Sequence, residues 1–194
     1  MKEMYIIAGP NGAGKTTAAY DLLPHFLHTN EYVNADSIAH ALSPFNADKV
    51  ALQAGKIMLK RINELVTQGK SFALETTLAR KNYVRFLTDC KNAGYQTNLI
   101  FLWLQDVKLA IQRVKLRVAQ GGHSIPTDTI ERRYTRGMEN LFKLYMPLVD
   151  NWWLYDNSDA TPLMIGKRLI GKQAEITDIK RWQILLKEYR GGVK

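Results

Sequence analysis

The sequence predicts an α/β protein, a three-layer sandwich with helices on both faces of a mainly parallel, five-stranded sheet. Two observations carry this prediction. Short apolar runs of strand length alternate with longer helical stretches along the whole chain. The apolar runs, such as MYIIA and TNLIFLWL, are continuous rather than alternating, which suits strands buried on both faces.

Each element has its own signal. Residues 4–8 (MYIIA) form the first buried strand, and residues 16–23 a helix that ends at Pro24. Residues 31–36 (EYVNAD) form a second strand, followed by a short helix that stops before Pro44. Residues 46–68 predict a longer helix. Leu52, Ile57, Leu59, Ile62, Leu65 and Val66 recur near the helical period, and Gly69 supplies the stop. Residues 71–76 (SFALET) are a third strand, and residues 81–93 a helix ending at Gly94. Residues 97–104 are the most apolar strand and are expected at the centre of the sheet. A helix over 107–120 is broken by Gly121 and Gly122. Thr127 or Asp128 caps the next helix, which runs to about Tyr145, before Pro147. Residues 152–157 (WWLYDN) are the fifth strand, with Trp152, Trp153 and Tyr155 read as core. Residues 162–176 read as strand or hairpin, punctuated by Gly166 and Gly171. A helix over 178–189 follows, with Trp182 as a core residue. With no repeat, low-complexity stretch or dividing linker, residues 1–194 read as one domain.

Composition narrows the function classes. Hydrophobic residues at 46% and charged residues at 23% are ordinary for a soluble globular chain. No apolar run approaches the roughly 20 residues of a membrane span. The apolar start is only residues 4–8 before glycines and Lys15, which is not a signal peptide. The single Cys90 has no internal disulfide partner, so a reducing, cytoplasmic location is expected. The net charge of +9 favours anionic partners. The basic residues form no long block and the aromatics no stacking platform, which argues against nucleic acid.

Gly9-Pro10-Asn11-Gly12-Ala13-Gly14-Lys15-Thr16 fits the pattern G-x-x-x-x-G-K-[ST], between a strand and a helix. Glycines let backbone N–H groups close around an anion, and the following helix presents its positive end to it. These eight residues with Thr17 are assigned to ATP, Lys15 to its β- and γ-phosphates, and the Thr16 hydroxyl to Mg²⁺. The fold is therefore of the P-loop NTPase type. A Leu-Ser-Gly-Gly-Gln signature, an Asn-Lys-x-Asp guanine reader and a strand-terminal Asp-Glu pair are all missing. What remains is a small kinase, nucleotide-kinase-like, with a helical lid.

Ligands of open α/β sheets gather at the carboxyl ends of strands, where Asp36 and Glu75 fall. Asp36 is assigned to orient the acceptor hydroxyl and take its proton, with a helix N-cap as the alternative. Glu75 is assigned to acceptor hydroxyls or a metal-bound water, with pairing to Arg80 as the alternative. Thr76, Thr77 and Arg80 follow as acceptor contacts. Residues 113–136 predict the lid: Arg113, Lys115, Arg117, Arg132, Arg133 and Arg136 surround the Gly-Gly break. Arg113 and Arg133 are assigned to catalysis, Arg117 to the nucleotide, and His123 and Arg136 to the acceptor. Asn157 and Ser158 are placed where adenine would lie. No His or Cys pattern suggests a metal site.

AGPNGAGKTT, VNAD, ALETTLA and RVAQGGHSIPTDTIERRYTRGMENL, in that order, together resemble the zeta toxin family, from about residue 4 to 178. The resemblance implies a P-loop kinase that uses ATP and Mg²⁺ to phosphorylate the 3′-hydroxyl of the amino sugar in UDP-N-acetylglucosamine, and a protein antitoxin as candidate partner. It places Lys15 and Thr16 at the phosphate and Mg²⁺, Asp36 as the acceptor-activating aspartate, Glu75 and Arg80 at the substrate, and Arg113 as the first lid arginine. The family's second lid arginine precedes a Thr-Pro pair, where this chain has His123-Ser124-Ile125-Pro126. Arg133 or Arg136 is the candidate replacement. Two alternatives keep other functions open: a kinase of another hydroxyl (an antibiotic, nucleoside or dinucleotide), and a nucleotide-switched ATPase that binds nucleic acid.

Overall fold

A computed structural model describes the chain except residues 26, 28, 123 and 191–194 and the side chains of Asp48 and Arg190. The first strand, β1 (Lys2–Ala8), is buried from Met4 to Ala8. Taking the Met4, Ile6 and Ile7 side chains out of water stabilises the fold by about 1.5–3 kcal/mol each. Helix α1 (Lys15–His25) leaves the glycine loop and runs through Pro24 to the residue after the predicted stop. Then come β2 (Tyr32–Val33), shorter than predicted, and α2 (Ala35–Leu42). A tight turn at Ala47–Val50 leads into α3 (Ala51–Thr67), followed by β3 (Phe72–Thr76) and α4 (Tyr83–Asn92). Next are β4 (Tyr95–Trp103), α5 (Val107–Ala119) and α6 (Thr127–Asn140). Pro126 stands at the N-cap of α6, and neither Thr127 nor Asp128 caps it. A wide turn at Leu141–Tyr145 joins α6 to α7 (Met146–Leu148). The chain continues as β5 (Asn151–Asp156), β6 (Leu163–Arg168), β7 (Glu175–Ile176) and α8 (Ile179–Leu185), which ends in a second wide turn at Leu186–Arg190.

Among the described residues the sheet has seven strands rather than the predicted five, in the order β2-β3-β1-β4-β5-β6-β7. The first five are parallel; β6 and β7 add antiparallel pairs. The two extra strands come from the segment read as strand or hairpin. Their place in the main sheet depends on pairing Trp153 with Lys167 across a register shift at Leu154/Tyr155, which no local pattern encodes. β4 is the middle strand, as its apolar run predicts. Trp152 is buried and stacks on Trp182 of α8, with ring centroids 5.8 Å apart.

Register aligns the ends that matter. Ala8 sits opposite Thr76 on β3 and Phe101 on β4, and Trp103 opposite Asp156 on β5. The glycine loop, Glu75, and the segment after Asp156 therefore emerge at one edge of the sheet. β1 lies between β3 and β4, so the glycine loop leaves at the point where the strand order reverses, the usual ligand position of such sheets. The segment after β3 is clamped under α6. Leu78 is buried with a positive φ of 56°, a left-handed conformation that costs a non-glycine residue about 1–2 kcal/mol. It is held by Asn140, which donates to its carbonyl at 2.8 Å, and by its own N–H, which donates to Thr76 Oγ1 at 3.1 Å. The Tyr145 hydroxyl donates to the Arg80 carbonyl.

Candidate active site

The glycine loop is shaped by close approaches that only glycine permits. A Cβ on Gly9, where φ is +149°, would lie 2.3 Å from the Leu102 carbonyl oxygen. On Gly12, where φ is +80°, it would lie 2.9 Å from the Ala110 carbonyl oxygen. The loop is thus pressed between β4 and α5 and opens into a cavity of about 590 Å³. Gly14 stands at the positive end of α1, where the Ala18 N–H donates to its carbonyl at 2.9 Å. Asn11 also lines the cavity; it is buried, and its Oδ1 has no hydrogen-bond partner among the described residues. The loop fits a polyphosphate: it offers backbone donors, a helix N-terminus and a buried cation around one space.

Lys15 is that cation. Its side chain is 7% exposed, and its ammonium donates to the Pro10 carbonyl at 2.9 Å and stands 3.8 Å from Glu75 Oε1. Burial lowers its proton affinity below the ordinary lysine value; Glu75 and Asp36 oppose that shift, while Arg117 and Arg133 add to it. A bound anion relieves such a group, because it restores the favourable interactions that burial removes.

Glu75 is a hub. Its Oε2 accepts from the Thr16 hydroxyl at 2.8 Å, from the Asn34 amide at 2.9 Å and from the Tyr32 hydroxyl. The alternative pairing with Arg80 is not formed, and Arg80 is exposed outside the cavity walls. Asn34 Oδ1 meanwhile accepts from the N–H groups of Asp36, at 2.8 Å, and Ser37, at 3.2 Å, and so caps α2. Asn34, not Asp36, is the N-cap. The exposed Asp36 side chain lines the cavity with Lys15, Thr16, Thr17 and Glu75. It makes no hydrogen bond or ion pair among the described residues.

Of the arginines in the segment predicted as a lid, Arg113 and Arg117 reach the cavity wall, beside Gly121 and Gly122. Arg113 is committed to protein: Nη1 donates to the Asn157 carbonyl at 2.8 Å and Nη2 to the Ser158 carbonyl at 2.6 Å. Gly121 and Gly122 close α5, their N–H groups donating to Val118 at 3.0 Å and Arg117 at 2.9 Å. Arg133 stays outside the wall but close enough to act on Lys15, while Arg136 is exposed outside it. Thr76 and Thr77 also lie outside the wall, the Thr77 carbonyl being packed against Gly137. His123 lies outside the described residues. Gly9, Pro10 and Ala13 are buried within the loop itself.

Sequence reasoning missed Tyr32 and Asn34. The VNAD run points to the segment, but the contacts with Glu75 span 43 and 41 residues. Among the described residues no three acidic, His or Cys side chains gather as a metal cluster. The Thr16 hydroxyl with one or two carboxylates nearby is a sparse donor set. It suits Mg²⁺, which keeps several waters and takes phosphate oxygens, and would need Thr16 to turn from Glu75.

The zeta toxin family model matches residues 1–163. An uncharacterized protein of Haemophilus influenzae is 27% identical over 128 residues, covering 65% of this chain and 88% of that protein. Among solved structures, the AvrRxo1-ORF1:AvrRxo1-ORF2 complex superposes with a TM-score of 0.78 at 14% identity, covering 95% of this chain and 63% of that one. It has also been solved with ATP. A structure of the PezAT chromosomal toxin–antitoxin system of Streptococcus pneumoniae gives a TM-score of 0.63 at 18% identity, covering 100% of this chain and 80% of that one. At these identities the structures show a shared α/β fold, and this chain spans less than two thirds of the AvrRxo1 chain. The family match, which takes in the glycine loop, Asp36, Glu75 and residues 113–136, decides the classification: the chain belongs to the zeta toxin family.

Proposed function

We propose that this protein is an ATP-dependent phosphotransferase that moves the γ-phosphoryl group to a hydroxyl of a small acceptor, with UDP-N-acetylglucosamine or a related UDP-amino sugar as first candidate. One observation carries the reading. A single cavity gathers a buried lysine on a glycine loop, the hydroxyl of Thr16, and two carboxylates in opposite states: Glu75 accepts from three donors, and the Asp36 side chain has no hydrogen-bond or ion-pair partner among the described residues.

The division of labour follows from those states. The loop N–H groups and Lys15 hold the β- and γ-phosphates, and Arg117 adds positive charge where charge spreads during transfer. Thr16 holds Mg²⁺, with Glu75 behind it; the ion, when bound, neutralises phosphate charge. Asp36 orients the acceptor hydroxyl and takes its proton as the new O–P bond forms and the bond from the γ-phosphorus to the β-phosphate oxygen breaks, releasing ADP. Residues 113–136 act as the lid, with Arg133 approaching on closure and Arg136, His123, Thr76, Thr77 and Arg80 toward the acceptor. A protein antitoxin is the proposed partner, in keeping with the PezAT likeness.

Mass spectrometry tests the reading. Protein with Mg-ATP adds one phosphoryl group to UDP-N-acetylglucosamine, and Lys15→Ala does not. An unmodified sugar nucleotide with wild-type protein removes that acceptor. A second reading keeps the chemistry and changes the acceptor to a nucleoside, antibiotic or dinucleotide. It is favoured by a neighbouring cavity of about 560 Å³, which shares Asn34 and Ser37 with the first and has Tyr20, Tyr32 and Ile57 in its walls. A metabolite-extract screen for new phosphorylated masses separates the two.

A further inference from the structure

The family match ends at residue 163, yet a helix beyond it is wired to the nucleotide cavity. Arg181 of α8 donates from Nε to Asp156 Oδ2 at 2.7 Å, and Asp178 Oδ2 accepts from Arg181 Nη1 at 2.5 Å. Asp156 is 3% exposed at the end of β5, and its other oxygen accepts from the Ser158 N–H at 2.9 Å and the Ser158 hydroxyl at 2.5 Å. The same hydroxyl accepts from the Gln105 N–H at 2.9 Å. The two-residue segment so fixed, Asn157 and Ser158, does two things at the cavity. Its carbonyls receive both Arg113 nitrogens, and the Asn157 amide donates to the Ala13 carbonyl of the glycine loop at 2.8 Å.

We propose that Arg181 is a positioning residue for nucleotide binding: through Asp156 it holds the Asn157–Ser158 segment, which braces the glycine loop on one side and Arg113 on the other. This rests on the phosphotransferase reading above. The physical reason is that a buried carboxylate left without its cation recruits other donors. Asp156 would then pull on Ser158, and the two carbonyls and the Asn157 amide lose their aim. Arginine suits the place because its fork serves Asp156 and Asp178 together, which the point charge of lysine does not.

The test is equilibrium binding of a fluorescent ATP analogue with Mg²⁺, without acceptor, alongside thermal unfolding and acceptor KM. Arg181→Ala is expected to raise the nucleotide Kd by about tenfold, the loss of one strong charge-assisted bond's effect, with acceptor KM within about twofold. Arg181→Lys is expected to recover part of the affinity. Trp182→Ala, which removes the ring stack of the same helix, separates positioning from mere docking of α8: it lowers the Tm without an equal rise in Kd. The proposal is overturned if Arg181→Ala binds nucleotide like wild type, or if Trp182→Ala weakens binding as much as Arg181→Ala at equal loss of Tm. Should Arg181→Ala not fold, Arg181→Lys decides alone, and wild-type affinity in it overturns the proposal. Wild-type protein that binds no nucleotide sinks the phosphotransferase reading and this inference together, an outcome distinct from the others.

Discussion

The Asn34 amide donates to Glu75 Oε2 at 2.9 Å while its carbonyl oxygen caps the helix that carries Asp36. One side chain thus ties the carboxylate beside the glycine loop to the start of the helix that carries Asp36. Asn34→Ala is expected to cost about 1 kcal/mol of stability through the lost cap and to lower kcat. Asn34→Ser restores the cap but not the amide donor. It should therefore recover most of the stability in chemical denaturation and little of the activity; equal recovery of both refutes the coupling.

Asp36→Asn keeps the shape and removes the proton acceptor. It is expected to lower kcat about 10²–10⁴-fold with nucleotide Kd unchanged within about twofold. Single-turnover kinetics with a titration of nucleotide checks both numbers. Unchanged kcat would leave the transfer without its assigned base.

Gly137 lies in the last turn of α6, ahead of the wide turn at Leu141–Tyr145, a helical position where alanine ordinarily stabilises by about 1 kcal/mol. Here the added Cβ would lie 2.4 Å from the Thr77 carbonyl oxygen. Gly137→Ala is therefore expected to destabilise by about 1–3 kcal/mol and to shift the segment that follows Glu75. Acceptor KM should rise more than nucleotide Kd. A stabilised variant would show that α6 does not clamp that segment.

Asp150 predicts an acid-sensitive step in stability. Burial acts to raise its carboxyl, but hydrogen bonds from Lys91 and from the Thr97 N–H and hydroxyl outweigh it and hold the group below the ordinary carboxylate value. A group depressed in the folded state stabilises fully above its unfolded value, near pH 4, and loses that contribution as pH falls through the folded value. Asp150→Asn is expected to cost about 1–3 kcal/mol at pH 7, and the gap to wild type should shrink below pH 4. Denaturant titrations across that range measure it.

The fold was legible where its signals are contiguous. The glycine loop, β1 and α1 occupy adjacent residues, so one stretch specifies both the turn chemistry and the flanking elements. The places of Asp36 and Glu75 were legible for a related reason, since a carboxylate at or soon after the carboxyl end of a buried strand emerges at that end of the sheet. Arg80 was assigned from its place after the third strand and from the family resemblance, and Arg136 from its charge in the basic segment; both are exposed and off the cavity wall. The direction in which a side chain leaves a loop or helix depends on what packs behind it.

By itself, then, the sequence determined the parallel α/β order, the glycine loop between its strand and helix, and the place of the two carboxylates, because each rests on neighbours a few residues apart. Only the tertiary structure decided that Glu75 is held by Tyr32 and Asn34, that Arg113 spends both nitrogens on Asn157 and Ser158, and that the sheet runs to seven strands. Those contacts join residues about 40 or more positions apart, or strands paired across a shifted register. They form only once chain closure and core packing bring the partners together, and no local pattern of residues records which partner a side chain will meet.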